Sequence, residues 1–136
     1  MHQMKASLTL FTLSLLISAN GAYAQAMHHD EAGTVTYQGN LGGIEDFTLK
    51  IGPAHEGKSR VSVFVGMPNK CQGEVNGQAT VHGDVLNLAK DNDGNNCSLT
   101  IHRNATGATI TESDCLSSHG ASCSFDTQGK MLHWVK

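Results

Sequence analysis

Apolar and polar residues alternate over most of this chain. The runs Val61-Ser-Val63-Phe-Val65, Ala79-Thr-Val81-His, Leu86-Asn-Leu88, Leu99-Thr-Ile101-His-Arg103 and Ala108-Thr-Ile110-Thr-Glu112 carry an apolar side chain at every second position. A period of two puts those side chains on one face of a strand and the polar ones on the other, whereas a helix repeats every three to four positions. Turn signals separate the runs: Gly42-Gly43, Gly52-Pro53, Asn76-Gly77, His82-Gly83-Asp84, 91–96 and 104–107. The pattern predicts strands near 34–38, 45–51, 59–66, 73–82, 84–89, 97–103, 107–113, 122–126 and 130–135, and no convincing helix. Short connections make this an antiparallel meander, and many short strands in one small domain predict an all-β sandwich or small barrel. Met67-Pro68-Asn69-Lys70 is the one plausible seam within that domain.

The first residues break the alternation. His2 and Lys5 precede an apolar run from Leu8 to Ile17, and Ala22-Tyr23-Ala24 follows. A basic start, an apolar stretch too short to span a bilayer and an A-x-A ending describe a secretory signal. Residues 1–24 are expected to be that signal and 25–136 a single all-β domain; Ala24-Gln25-Ala26 allows cleavage after Ala26 instead. Later segments lack the length and apolarity of a membrane span. The expected location is the periplasm or the medium.

Export changes the meaning of the four cysteines, Cys71, Cys97, Cys115 and Cys123. An even count in an exported chain reads as two disulfides rather than as metal or redox chemistry. Of the three possible connectivities, the expected one is Cys115–Cys123 with Cys71–Cys97. The first closes a loop of about nine residues and the second one of about 27, worth about 2.5 and 3.5 kcal/mol in the chain-entropy picture.

Charge narrows the partners. Loss of Lys5 with the signal leaves eight basic against twelve acidic residues, a balance of −4. That argues against non-specific binding to nucleic acid or anionic lipid.

Four stretches are candidates for chemistry. Asp91-Asn92-Asp93-Gly94-Asn95-Asn96 resembles the front of a calcium loop, but an EF-hand needs Gly at the sixth place and Glu at the twelfth, where Asn96 and His102 stand. Met27-His28-His29-Asp30-Glu31 would place His29 third from a new terminus after cleavage at Ala26, an arrangement that suits Cu(II). Ser117, Ser118 and His119 lie near Asp114, but neighbours in one short loop do not aim at each other as a catalytic triad does. Glu45 and Asp46, adjacent on a strand, face opposite ways. No catalytic constellation emerges and the chain reads as a non-enzyme with no cofactor. The fourth stretch is Cys115-Leu-Ser-Ser-His-Gly-Ala-Ser-Cys123, a Ser/Gly-rich loop. Closed by a disulfide, it would be a pre-organised binding tip, with Ser117, Ser118, His119 and Gly120 as contacts.

The string from Cys71 through Cys97-Ser-Leu99-Thr-Ile101 to Cys115-Leu-Ser-Ser-His119-Gly120-Ala-Ser-Cys123-Ser-Phe125-Asp126 and Gly129 is similar to the cysteine-containing β domain of small exported proteobacterial proteins grouped with LprI-like periplasmic lysozyme inhibitors. The resemblance covers about half of the expected mature chain. It implies a non-enzymatic protein that binds a lysozyme-like or other peptidoglycan-degrading enzyme, as an inhibitor or as an immunity protein. Such hydrolases use paired carboxylates in a cleft, which an inserted Ser or His side chain could engage. The rival expectation is a periplasmic metal-binding or stress-response protein that uses His28 and His29 for copper or Asp91 and Asp93 for calcium.

Overall fold

A computed structural model describes residues 30–90 and 96–136. The expected signal sequence and the candidate ligands His28, His29, Asp91 and Asp93 lie outside the described residues.

Eight strands follow one another around a closed antiparallel barrel: β1 (Val35–Leu41), β2 (Glu45–Ile51), β3 (Lys58–Met67), β4 (Cys71–His82), β5 (Val85–Leu88), β6 (Ser98–Arg103), β7 (Gly107–Ser113) and β8 (Leu132–Val135). Each strand pairs with the next in sequence, and β8 returns to β1 through Thr36↔Val135, Tyr37↔Trp134 and Gln38↔His133. The all-β meander expected from the alternation is therefore closed, and closure removes the unpaired edges that an open sheet would expose. Among the described residues, no helix is long and apolar enough to cross a membrane.

The alternation also sets which side chains fill the barrel. Phe47, Leu49 and Ile51 of β2, Val61, Val63 and Val65 of β3, Leu99 and Ile101 of β6 and Ile110 of β7 are buried, with their odd-or-even partners outside. At eight strands the interior is just wide enough for such side chains to fill. The longest pairing joins β3 and β4 over ten residue pairs, from Lys58↔Thr80 to Met67↔Cys71. Residues 67–70, read from sequence as a seam, are the tight turn of that hairpin, closed by Lys70 N–H donating to Met67 O at 3.1 Å. Asn76-Gly77 is not a turn. It lies within β4, where the side chain of Leu88 occupies the space that a Cβ on Gly77 would need.

Two expectations fail between Cys115 and Leu132. Residues 122–126 form no strand, and Leu116–His119 form a single helical turn, α1. The strand reading had a real basis, since Cys123, Phe125 and Thr127 are buried and the residues between them are less so. The segment is extended and alternates like a strand. Its backbone donors, however, go mostly to side chains, as described below.

The disulfides also differ from expectation. The pairs are Cys71–Cys123 and Cys97–Cys115, with Cα–Cα distances of 5.8 and 4.2 Å. The reason is register. Ser98 pairs with Ser113, so the residues just beyond them, Cys97 and Cys115, approach each other at the end of one strand pair. Cys71 begins β4, with β5 standing between it and β6, and its partner arrives instead on the chain that crosses the barrel mouth. The two disulfides belong to an oxidising environment, extracellular or periplasmic.

Candidate functional site

All four cysteines gather at one end of the barrel, where β3 leads into β4 and β7 leads into α1. Residues 114–131 form a strap over that end. It begins at Asp114, whose positive φ of 59° turns the chain away from β7. The Lys90 ammonium hydrogen-bonds and ion-pairs with Asp114 and holds its carboxyl below the usual carboxylate range.

The helical turn is closed by Ser118 N–H to Cys115 O and Gly120 N–H to Leu116 O, each at 2.8 Å. Gly120 follows at φ 75°, a conformation that suits glycine. The turn sits directly on β4. A Cβ at Gly73 would lie 2.4 Å from His119 Cβ and 2.6 Å from Ser118 O, so only glycine lets the two backbones come this close.

His119 points inward. Its side chain is 4% exposed, and its Nε2 lies 3.0 Å from Glu112 Oε2. Its Nδ1 lies 2.6 Å from Gly120 O. Both ring nitrogens thus face oxygen atoms. Phe125 packs edge-on against the imidazole, ring centroids 5.0 Å apart. Glu112 stands opposite Leu99 on β7, on the inner face at the barrel rim. Its Oε2 also accepts Phe125 N–H at 2.7 Å. Glu45, at the start of β2, accepts the neighbouring Ser124 N–H at 3.2 Å. Farther along, Thr127 N–H donates to Ile110 O at 2.9 Å and Ile110 N–H to Thr127 Oγ1 at 3.1 Å. Carboxylates at the rim thus replace the neighbouring strand that residues 122–126 lack.

The outer side of the strap is open. Ser117, Gly120 and Ser122 are exposed and Ser118 is half-buried. With Lys70, Gln72 and Ala121 they surround a shallow concavity of about 310 Å³. The four contact residues expected from sequence, Ser117, Ser118, His119 and Gly120, all line this concavity. The His119 ring itself is nearly buried and turned toward Glu112, where it holds the strap. The same hydrogen bonds leave neither serine hydroxyl with an imidazole nitrogen to activate it.

Glu45, Gly73 and Lys70 were missed as parts of the site from sequence, and so was the role of Glu112. The signal for Glu112 was present. In Ala108-Thr-Ile110-Thr-Glu112 the inward register continues onto a carboxylate, which at a barrel rim calls for buried donors. Among the described residues, no three His, Cys, Asp or Glu side chains are grouped to hold a metal ion.

No protein-family model matches the chain, and neither a curated protein nor a solved structure does.

Proposed function

We propose that this protein is exported to the periplasm and inhibits a lysozyme-like or other peptidoglycan-degrading enzyme, as an inhibitor or an immunity protein. The observation that carries the reading is the strap itself. Its outer face presents hydroxyls, peptide groups and one ammonium around the concavity at Lys70, Ser117, Ser118 and Gly120. Two disulfides and the Glu112–His119 pair hold that face from beneath. A surface ordered in advance loses little entropy on docking.

The donor set suits a cleft with paired carboxylates. Ser117 and Ser118 can donate hydrogen bonds to ionised oxygens, and Lys70 adds a positive charge to an otherwise acidic chain of net charge −3. The acidic body favours encounter with a basic hydrolase, and the local ammonium fits the acidic cleft. The resemblance to LprI-like proteins points the same way.

The test is a titration of the disulfide-bonded protein against lysozymes of several types, read with a soluble oligosaccharide substrate. Turnover should fall to its limit at equimolar protein for at least one type. The double substitution Lys70→Ala with Ser117→Ala should weaken inhibition by about tenfold or more, with the melting temperature unchanged, as loss of contacts at a centre of binding does. Full turnover by every lysozyme type in excess protein would overturn the proposal.

A further inference from the structure

We propose that the outer face of β2, β3 and β4 is a second binding site, for an uncharged β-linked pyranose chain. It adjoins the strap concavity, with which the nearer depression shares Lys70 and Gln72, but it centres on Phe64. Phe64 is the central residue. It points outward from the middle of β3 and is 38% exposed, although its inward neighbours Val63 and Val65 are fully buried. Its ring is folded along the strand over Gly66: a Cβ at Gly66 would lie 3.0 and 3.1 Å from two ring atoms. The missing side chain at 66 gives the ring a seat on the sheet. The exposed part of the ring gives this face an apolar spot among polar side chains.

Phe64 lies between two adjoining depressions and lines both. One, of about 470 Å³, runs toward Met67 and Gln72, and the other, of about 520 Å³, toward Arg60, Ser62 and Asn76. The register sets their side chains in rows across the strands. Thr48, Phe64 and Glu74 form one row, and Lys50, Ser62 and Asn76 the next. From Asp46 to Gly52 the face extends about 20 Å along the strands, enough for an extended chain.

The chemistry of the face selects the ligand. An aromatic surface next to amide, hydroxyl and guanidinium groups matches a sugar ring, which has an apolar C–H face and a hydroxyl-bearing edge. The charges of the larger depression nearly cancel, with Asp30, Glu31 and Glu74 against Lys50 and Arg60. Lys50 is already held by both carboxylate oxygens of Asp30, at 2.8 and 2.9 Å. Arg60 forms no ion pair among the described residues, and its planar donors are available to a ring hydroxyl pair. A polyanion would find little net attraction here, and an apolar chain would leave Arg60 without a partner.

The experiment uses the full disulfide-bonded protein, with cellohexaose and chitohexaose as soluble probes and amide chemical shifts as the readout. Saturable shifts are expected at residues of β2, β3 and β4 with at least one of the two sugars. Phe64→Ala should weaken that binding about tenfold, while Phe64→Tyr, which keeps the ring, should retain it. Ser117→Ala, a strap variant, should leave sugar binding unchanged, so failure here and failure of hydrolase inhibition are distinguishable. Absence of saturable shifts with both sugars, shifts centred on the strap, or undiminished binding by Phe64→Ala would each overturn the proposal.

Discussion

At the end of the barrel away from the cysteines, the turns satisfy themselves. Asn104 Oδ1 accepts the backbone N–H groups of Thr106 and Gly107 at 2.8 and 3.0 Å, and His55 and Lys58 exchange backbone hydrogen bonds across a tight turn. At the other end the strap depends on partners far away in sequence. Cys123 reaches back 52 residues to Cys71, and Ser124 reaches 79 residues to Glu45. The first kind of closure is local and cheap in chain entropy. The second orders a long segment and requires cross-links and carboxylate acceptors at the rim to hold it. The exposed surface proposed to meet a partner lies on the second kind, where the backbones of Ser118 and Gly120 hold the turn and the Ser117 and Ser118 side chains face outward.

This contrast yields expectations that scale with distance in sequence. Replacing Cys71 and Cys123 together by Ser should have the largest effect, about 4 kcal/mol of stability from urea unfolding, since the bridge closes the longer loop. A loss no larger than that of a single turn residue would erase the distinction between the two ends. Next is Glu112→Ala, which leaves the His119 ring and Phe125 N–H without their shared acceptor. Because Glu112 is partly exposed, with 19% of its side chain accessible, the expected cost is about 2 kcal/mol rather than the full value for a buried pair. Amide exchange should rise first in residues 116–127. At the opposite end, Asn104→Ala should cost about 1 kcal/mol and raise exchange only at Thr106 and Gly107.

The smallest expected change is electrostatic. Lys90→Ala should return the Asp114 titration upward to the ordinary carboxylate range, read by carboxyl chemical shifts. Because the folded-state value is depressed, the pair contributes above the unfolded carboxylate value and its contribution is lost as pH falls through the folded one. On so exposed a pair the effect should also shrink in high salt.

The difference between the two ends also marks how far the sequence could be read. Val61 to Val65, Leu99 to Ile101 and Ala108 to Ile110 announced strands, because a period of two has one structural meaning when one face is buried. Asn104 to Gly107 announced a turn, because the partners of Asn104 stand two and three residues on. In the strap, Cys123 and Phe125 alternate like strand residues without forming a strand, because burial direction shows in sequence while the identity of a hydrogen-bond acceptor does not. The inward turn of the His119 ring shows nowhere in its own small, hydroxylated run. Glu112, which holds it, stands on a different element.

Sequence alone therefore determined the all-β class, the meander and the presence of cross-links, since each follows from local period, short connections and cysteine count. Tertiary structure alone decided that the sheet closes, that Cys71 joins Cys123 and Cys97 joins Cys115, and that His119 faces Glu112. Those outcomes depend on which chain ends meet at the rim of the barrel. That meeting is set by strand register summed around eight strands, a quantity that no short stretch of residues contains.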